Sequence, residues 1–195
     1  LEAFQCIQSE PVERSVLFQT NQGTDAHILS SSIEGVQDSQ SYCLRGTVAE
    51  PARSIAGGHV FFPLESGGAR IQCAAFEPTK SFRSTIRDLA PGDEIEVYGS
   101  VRDGALNLEK INIICLSERK SISAPLCPQC SKRMESAGRG QGYRCRRCKT
   151  REEGQVSQIS PCSLEPGYYE VPPCARRHLS KPLVRMAGEK VHPSR

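Results

Sequence analysis

The sequence predicts a mainly β protein, a small barrel followed by a separate metal-bound module, and three observations predict it. Between Tyr42 and Leu116, strand-length apolar runs alternate with glycine-containing turns and are interrupted by one helical pattern. Between Cys127 and Cys148, two C-x-x-C pairs flank a glycine-rich spacer. The charge divides where the two parts meet. Residues 1–118 hold 9 Lys+Arg against 16 Asp+Glu, a net −7, and residues 119–195 hold 16 against 6, a net +10.

In chain order, Tyr42 to Val48 is the first strand of the barrel, ended by Glu50-Pro51 and the Gly57-Gly58 turn. His59-Val60-Phe61-Phe62 is the second, and Ser66-Gly67-Gly68 turns it into a third, Arg70 to Phe76. Phe82, Ile86 and Leu89 fall at spacings of four and three, which predicts a short helix closed by Pro91-Gly92-Asp93. Glu94 to Val101 alternates polar and apolar, as a half-buried strand does. Asp103-Gly104 supplies the two positive-φ positions of a hairpin turn into the last strand, Ala105 to Leu116. Three strands, a short helix and a two-strand hairpin make the order of a five-stranded OB-fold, placed at residues 41–118. Many OB-folds bind oligonucleotides, and that step is an analogy. Its candidate nucleic-acid contacts are Arg45, His59, Phe61, Arg70 and Arg83. Alternation puts one of Phe61 and Phe62 in the core.

The second module, residues 124–152, is a zinc ribbon. Cys127-Pro-Gln-Cys130 and Cys145-Arg-Arg-Cys148 each let one tight turn offer two sulfurs, and zinc takes four thiolates tetrahedrally. The spacer Ser131–Arg144 is one residue short of the usual window, yet long enough for an out-and-back hairpin. Two disulfides would call for a secreted chain, and a redox motif would use one C-x-x-C. Lys132, Arg133, Arg139, Arg144, Arg146, Arg147 and Lys149 crowd round the knuckles and suit a polyanion. Tyr143 beside them either stacks on a base or packs against the hairpin. The remaining six cysteines are expected to act as small buried hydrophobes in a reducing cytoplasm.

The flanks are less regular. Residues 1–40 are too short to close a domain; they hold a strand at Ser15–Phe18, a polar turn from Thr20 to His27 and a Ser-rich linker. Leu1 is not methionine, so a fragment or processed chain is expected. Residues 153–195 read as a basic, Pro-rich tail with one short strand at Tyr168–Val171, the basic string Arg177-His178-Leu179-Ser180-Lys181, and a frayed end from Met186 to Arg195. No phosphate-binding loop, H-E-x-x-H or G-x-S-x-G is present, so no catalytic residue is assigned. Read from residues alone, the chain is a zinc-carrying nucleic-acid-binding module, not a self-contained enzyme, and a non-catalytic single-strand-binding protein remains the alternative.

A set of strings also resembles a known family. Leu17 to His27, Arg45-Gly46-Thr47-Val48, Gly57-Gly58-His59-Val60, Ala75 to Thr79, Pro91-Gly92-Asp93, Asn107 to Ile111, the paired C-x-x-C and Arg177 to Leu183 follow in the order seen in archaeal isoleucine-tRNA 2-agmatinylcytidine synthetases. The resemblance implies that residues 1–40 are the end of a ferredoxin-like domain, an incomplete α+β segment before the OB-fold. It implies an ATP-dependent ligase that attaches agmatine to the wobble cytidine of isoleucine tRNA so that the tRNA reads AUA. A kinase-like N-terminal domain would cleave the ATP, and the present chain would hold the tRNA. Asn21, Gly23 and Asp25 are then expected near the agmatine and nucleotide, with the Asp25 anion facing the dication. Arg177, His178 and Lys181 join the expected tRNA contacts.

Overall fold

The computed structural model describes residues 6, 8–154, 156–159 and 162–192. The chain runs β1 (Ile28–Ser30), β2 (Ser41–Val48), β3 (Arg53–Ser54), β4 (Val60–Ser66), β5 (Ala69–Ala75), helix α1 (Phe82–Arg87), β6 (Glu94–Arg102) and β7 (Ala105–Cys115). Then follow β8 (Lys120–Ser123), β9 (Glu135–Ser136), β10 (Tyr143–Arg144), β11 (Arg151–Glu152), β12 (Val156–Ile159), β13 (Gly167–Glu170) and β14 (Val191–His192).

Five strands close on themselves. β2 pairs β4, β4 pairs β5, β5 pairs β7 in parallel, β7 pairs β6, and β6 returns to β2. This is a mainly β OB-fold barrel, as the order of elements predicts. Burial follows the pleat most clearly in β6, where Ile95, Val97 and Val101 point inward between solvated neighbours. Helix α1 covers the barrel end with Phe82 and Ile86, and Leu89 follows it into the core. Closure needs a close approach at Gly46, where a Cβ would meet the Glu65 carbonyl oxygen at 2.5 Å.

Asp93, fully buried, pins the barrel to the strand that leaves it. Its carboxylate accepts from the Ala90 N–H, the Ser117 N–H and both guanidinium ends of Arg119, the latter at 2.7 Å. Burial alone would raise its pKa, but these donors outweigh it and hold the carboxyl below the usual range.

Three expectations are corrected. No strand forms over Ser15–Phe18; that stretch has no regular structure and is exposed, Leu17 fully so, because no described strand lies beside it to complete a ladder. The expected Pro-rich tail is instead built into the barrel. β13 pairs antiparallel with β7 through Gly167–Glu170 opposite Ile113–Lys110, β14 pairs parallel with β13, and Leu164 and Val171 enter the core. Val191 and His192 are therefore ordered in a strand, while Pro161 and residues 193–195 lie outside the described residues. Of the six cysteines beyond the ribbon, Cys73 is buried and Cys43 half-buried, but Cys6, Cys115, Cys162 and Cys174 are exposed. Local apolar neighbours in sequence do not bury a side chain at a strand end or in a loop.

The zinc ribbon is consequently an excursion. β8 and β12 pair antiparallel as two legs, the ribbon lies between them, and both legs return to the barrel. Arg119 bonds Asp93 at one leg and Ser163 Oγ bonds Asp88 at the other.

Candidate functional site

The ribbon knuckles repeat each other bond for bond. In the first, the Ser131 N–H donates to the Cys127 carbonyl at 2.8 Å and the Cys127 N–H to the Lys132 carbonyl at 2.8 Å. In the second, Lys149 and Cys145 make the equivalent bonds, Lys149 N–H to the Cys145 carbonyl at 3.0 Å and Cys145 N–H to the Thr150 carbonyl at 2.9 Å. Ser131 and Lys149 both take a left-handed φ, +54° and +62°, which turns each chain away after its second cysteine.

The ligand atoms of Cys127, Cys130, Cys145 and Cys148 lie within 4.8 Å of one another, and the sulfurs of Cys130 and Cys145 are 3.6 Å apart. A tetrahedron with Zn–S of about 2.3 Å has sulfurs about 3.8 Å apart, so the cage fits zinc. Electrostatics agree. Desolvation opposes ionisation of Cys127, but the N–H groups of Gln129 and Cys130 and the neighbouring thiols draw it down to about 6. Its neighbour Cys148, hydrogen-bonded to Cys130, is pushed up to about 12. Four thiolates this close repel, and a divalent cation relieves the repulsion. Among the described residues, the same four cysteines with Met134 and part of Tyr143 form the apolar centre of the ribbon.

Around this cage Lys132, Arg133, Arg139, Arg144, Arg146, Arg147 and Lys149 are all exposed. Arg146 pairs with Glu135 at 2.6 Å, and the other six make no ion pair among the described residues. Tyr143 is half-buried against the cysteine centre, so one face of its ring is used in packing. β10 sets Arg144 directly opposite Arg151 of β11, a like-charged pair that a polyanion would relieve.

The barrel candidates fare differently. Arg45 bonds Glu94 at 2.6 Å, Arg70 bonds Glu65 and Glu50, and Arg83 bonds the Gly58 carbonyl and Glu77. Each is neutralised within the fold. Phe62 is the buried member of its pair, and Phe61 lies half-exposed outside. His59 is half-buried, with Nδ1 accepting the Glu77 N–H at 3.0 Å.

A third constellation joins the two flanks. β7 and β6 slip register opposite Tyr98 and Gly99, so Glu109 is the extra residue of a β-bulge. At that point Glu109 and Lys110 are both buried, and both turn their charges to the flanks. The Lys110 ammonium, whose side chain is 1% exposed, donates to Asp25 Oδ2 at 2.7 Å and to the Lys181 carbonyl at 3.0 Å. Asp25 Oδ1 accepts the Lys181 N–H at 2.6 Å. Glu109 receives Arg177 at 3.0 Å on one oxygen and lies 3.2 Å from His27 Nε2 on the other. Gly23 and Asp25, at φ +62° and +63°, donate their N–H groups to the carbonyls of His178 and Leu179.

Gly23 and Asp25 of the expected substrate triplet are thus brought together with Arg177, His178 and Lys181, from the far end of the sequence; Asp25 and Lys181 are 156 residues apart. Asn21 is exposed, and His178 contributes its carbonyl while its ring stays exposed. Asp25 is not the free anion expected for a dication, because both its oxygens are bonded within the fold. Sequence reasoning met Glu109 and Lys110 only inside the Asn107 to Ile111 string and gave them no role. The one signal for them is two opposite charges inside a strand that otherwise reads as core.

The fold and cage define a class: an OB-fold barrel carrying an inserted, strongly basic zinc ribbon. Along nearly its whole length the chain is similar to about half of the isoleucine-tRNA 2-agmatinylcytidine synthetases, TiaS. A family model described as the TiaS C-terminal zinc ribbon domain matches residues 124–161. The Archaeoglobus fulgidus TiaS, named as a 2-agmatinylcytidine synthetase acting on isoleucine tRNA, is 47% identical over 98% of this chain and 46% of its own length. The Methanosarcina mazei protein of the same name is 51% identical over 94% of this chain and 44% of its own. Among solved structures, a complex of TiaS with its isoleucine tRNA and ATP superposes with a TM-score of 0.81 at 47% identity, covering 100% of this chain and 46% of that one. The chain therefore spans about half the length of the curated relatives it matches. Among the described residues, no helix is long and apolar enough to cross a membrane.

Proposed function

We propose that this chain is the tRNA-holding part of an ATP-dependent ligase that attaches agmatine to the wobble cytidine of isoleucine tRNA, so that the tRNA decodes AUA. The observation that carries the proposal is the similarity along the whole chain to TiaS solved with its isoleucine tRNA and ATP, and with the same tRNA, AMPCPP and agmatine. A kinase-like domain outside this chain would act on ATP, and the protein would work in the cytoplasm. Residues 1–40 would end a ferredoxin-like domain, residues 41–118 would be the OB-fold, and residues 124–152 the zinc ribbon.

Within this reading the unpaired ribbon cations, Lys132, Arg133, Arg139, Arg144, Arg147 and Lys149, are the phosphate contacts, since none of them makes an ion pair among the described residues. Zinc, held by Cys127, Cys130, Cys145 and Cys148, is structural: all four positions are filled by protein, which leaves none for a substrate. Asn21 and Gly23 line the approach to agmatine, and Asp25 holds that loop on β7. The test is ATP-dependent incorporation of labelled agmatine into isoleucine tRNA with a CAU anticodon by the full-length protein. Incorporation at the wobble cytidine supports the proposal; incorporation without ATP, or none with that tRNA present, refutes it.

A further inference from the structure

The outer face of β3, β4 and β5 carries an aromatic step that the tRNA-holding role does not yet use. Directly paired residues of neighbouring strands share a face, so Arg53, Phe61 and Ala74 all face away from the barrel core, with Arg53 exposed, Phe61 half-exposed and Ala74 fully covered. The adjoining residues Val60 and Phe62 point into the core. Phe61 meets Phe76 edge-on, with ring centres 6.1 Å apart and planes at 85°. Phe76 in turn meets His59 edge-on at 5.2 Å and 70°. Phe76 is 39% exposed and lies outside the core cluster, so the step presents an open ring face to solvent.

The step is rigid before any ligand arrives. His59 is fixed by the Glu77 N–H, and Arg83 ties the Gly58 carbonyl to the Glu77 carboxylate. These bonds clamp the loop before β4 to the turn after β5, so little ordering remains to oppose binding. Two exposed cations flank it. Arg53 makes no ion pair among the described residues. Lys80 ends the turn that carries Phe76 and is held at φ +45°, a conformation a side chain adopts at a cost. Two residues along β5 from Ala74 and on the same face, the Gln72 carboxamide nitrogen is buried without a hydrogen-bond partner, beneath the step rather than open to a ligand.

An open π-face and flanking cations match one ligand chemistry: a nucleobase with its sugar-phosphate. A base inside a duplex already has both faces stacked, so the step selects an unpaired one. We propose that Phe61 and Phe76 seat an unpaired base of the bound RNA, with Arg53 and Lys80 on its phosphates. The inference rests on the tRNA-holding role and deepens it: the ribbon grips phosphates anywhere on the RNA, while the barrel requires a single-stranded segment.

The test uses the full-length protein, a short single-stranded RNA carrying one 2-aminopurine, the same RNA annealed to its complement, and isoleucine tRNA. The expected result is 2-aminopurine quenching with the single strand only. Phe76→Ala should weaken single-strand binding on the order of ten- to a hundred-fold, the usual range for losing one stacked base. Phe76→Trp should restore it, and Arg53→Glu should weaken it without touching the aromatic rings. Because Phe76 and Arg53 lie outside the core, urea midpoints should move little, Phe76→Ala losing only two edge-on ring contacts. Salt-sensitive tRNA binding with no quenching and no Phe76 effect overturns this inference and leaves the tRNA-holding role standing. Loss of binding to both RNAs overturns both. Equal affinity for duplex and single strand overturns the selection of an unpaired base. Self-association of the protein that Phe76→Ala abolishes, with RNA binding unchanged, makes the step a protein contact and also overturns the inference.

Discussion

Lys110→Met tests the clasp that joins both flanks to the barrel. Methionine keeps the unbranched stem and removes the ammonium, so packing in β7 is nearly preserved and the charge alone is lost. The Lys110 side chain is 1% exposed, and its partners are Asp25 Oδ2 at 2.7 Å and the Lys181 carbonyl at 3.0 Å. Removing one member of a buried pair costs about 3–5 kcal/mol. Asp25 retains the Lys181 N–H and is 23% exposed, which moderates the expected loss to about 2–3 kcal/mol. Urea unfolding of the purified protein should show that loss as a lower midpoint with an unchanged slope. Amide exchange should accelerate at Gly23, Asp25 and Lys181, whose N–H bonds cross the clasp. Adding Asp25→Asn should recover part of the loss, with a coupling energy of at least about 1 kcal/mol. A midpoint change worth less than about 0.5 kcal/mol, with those amides still protected, would refute the reasoning.

Three further outcomes follow from the same geometry. Cys145→Ser, or chelation, should release one equivalent of zinc and unfold residues 124–152 while the barrel keeps its own cooperative transition, because Met134 and the four cysteines are nearly all the apolar centre the ribbon has; a single transition in which barrel and ribbon melt together would contradict this. Asp93 carries a depressed pKa, so its contribution is present above the unfolded value of about 3.9 and is lost as pH falls through the lower folded value. Asp93→Asn should therefore destabilise at neutral pH and flatten the acid limb of stability against pH; an unchanged acid limb would show that other carboxylates govern it. Arg144→Glu with Lys149→Glu should lower tRNA affinity at low salt and reduce the salt slope by about one for each phosphate no longer neutralised, measured by filter binding at several salt concentrations.

What was legible in the sequence was what local patterning controls. The alternation in β6, the helix spacing of Phe82, Ile86 and Leu89, and the two knuckles each reflect an interaction within a few residues. What was not legible depends on partners far away. Ser15–Phe18 has strand composition but no neighbour to pair with among the described residues, while Tyr168–Tyr169 becomes a strand because β7 extends beyond its pairing with β5 and offers a free edge. Glu109 and Lys110 are buried together because a bulge and two docked flanks cover both faces of β7, and no period in the sequence reports that. The role expected of Asp25 changed for the same reason: its neutralising partner lies 85 residues on. Arg45, Arg70 and Arg83 look like phosphate contacts in sequence and carry their counter-ions on adjacent strands or turns.

The most direct measurement is a salt titration of binding to isoleucine tRNA with a CAU anticodon, competed by another tRNA and by a single-stranded DNA of equal length. The ribbon's unpaired cations, if about four to six of them engage phosphates, give a log–log slope of about −3 to −5. The account predicts that slope together with preference for the isoleucine tRNA over both competitors. A shallow slope, or equal affinity for all three, would contradict a tRNA-holding role and leave a generic polyanion clamp in its place.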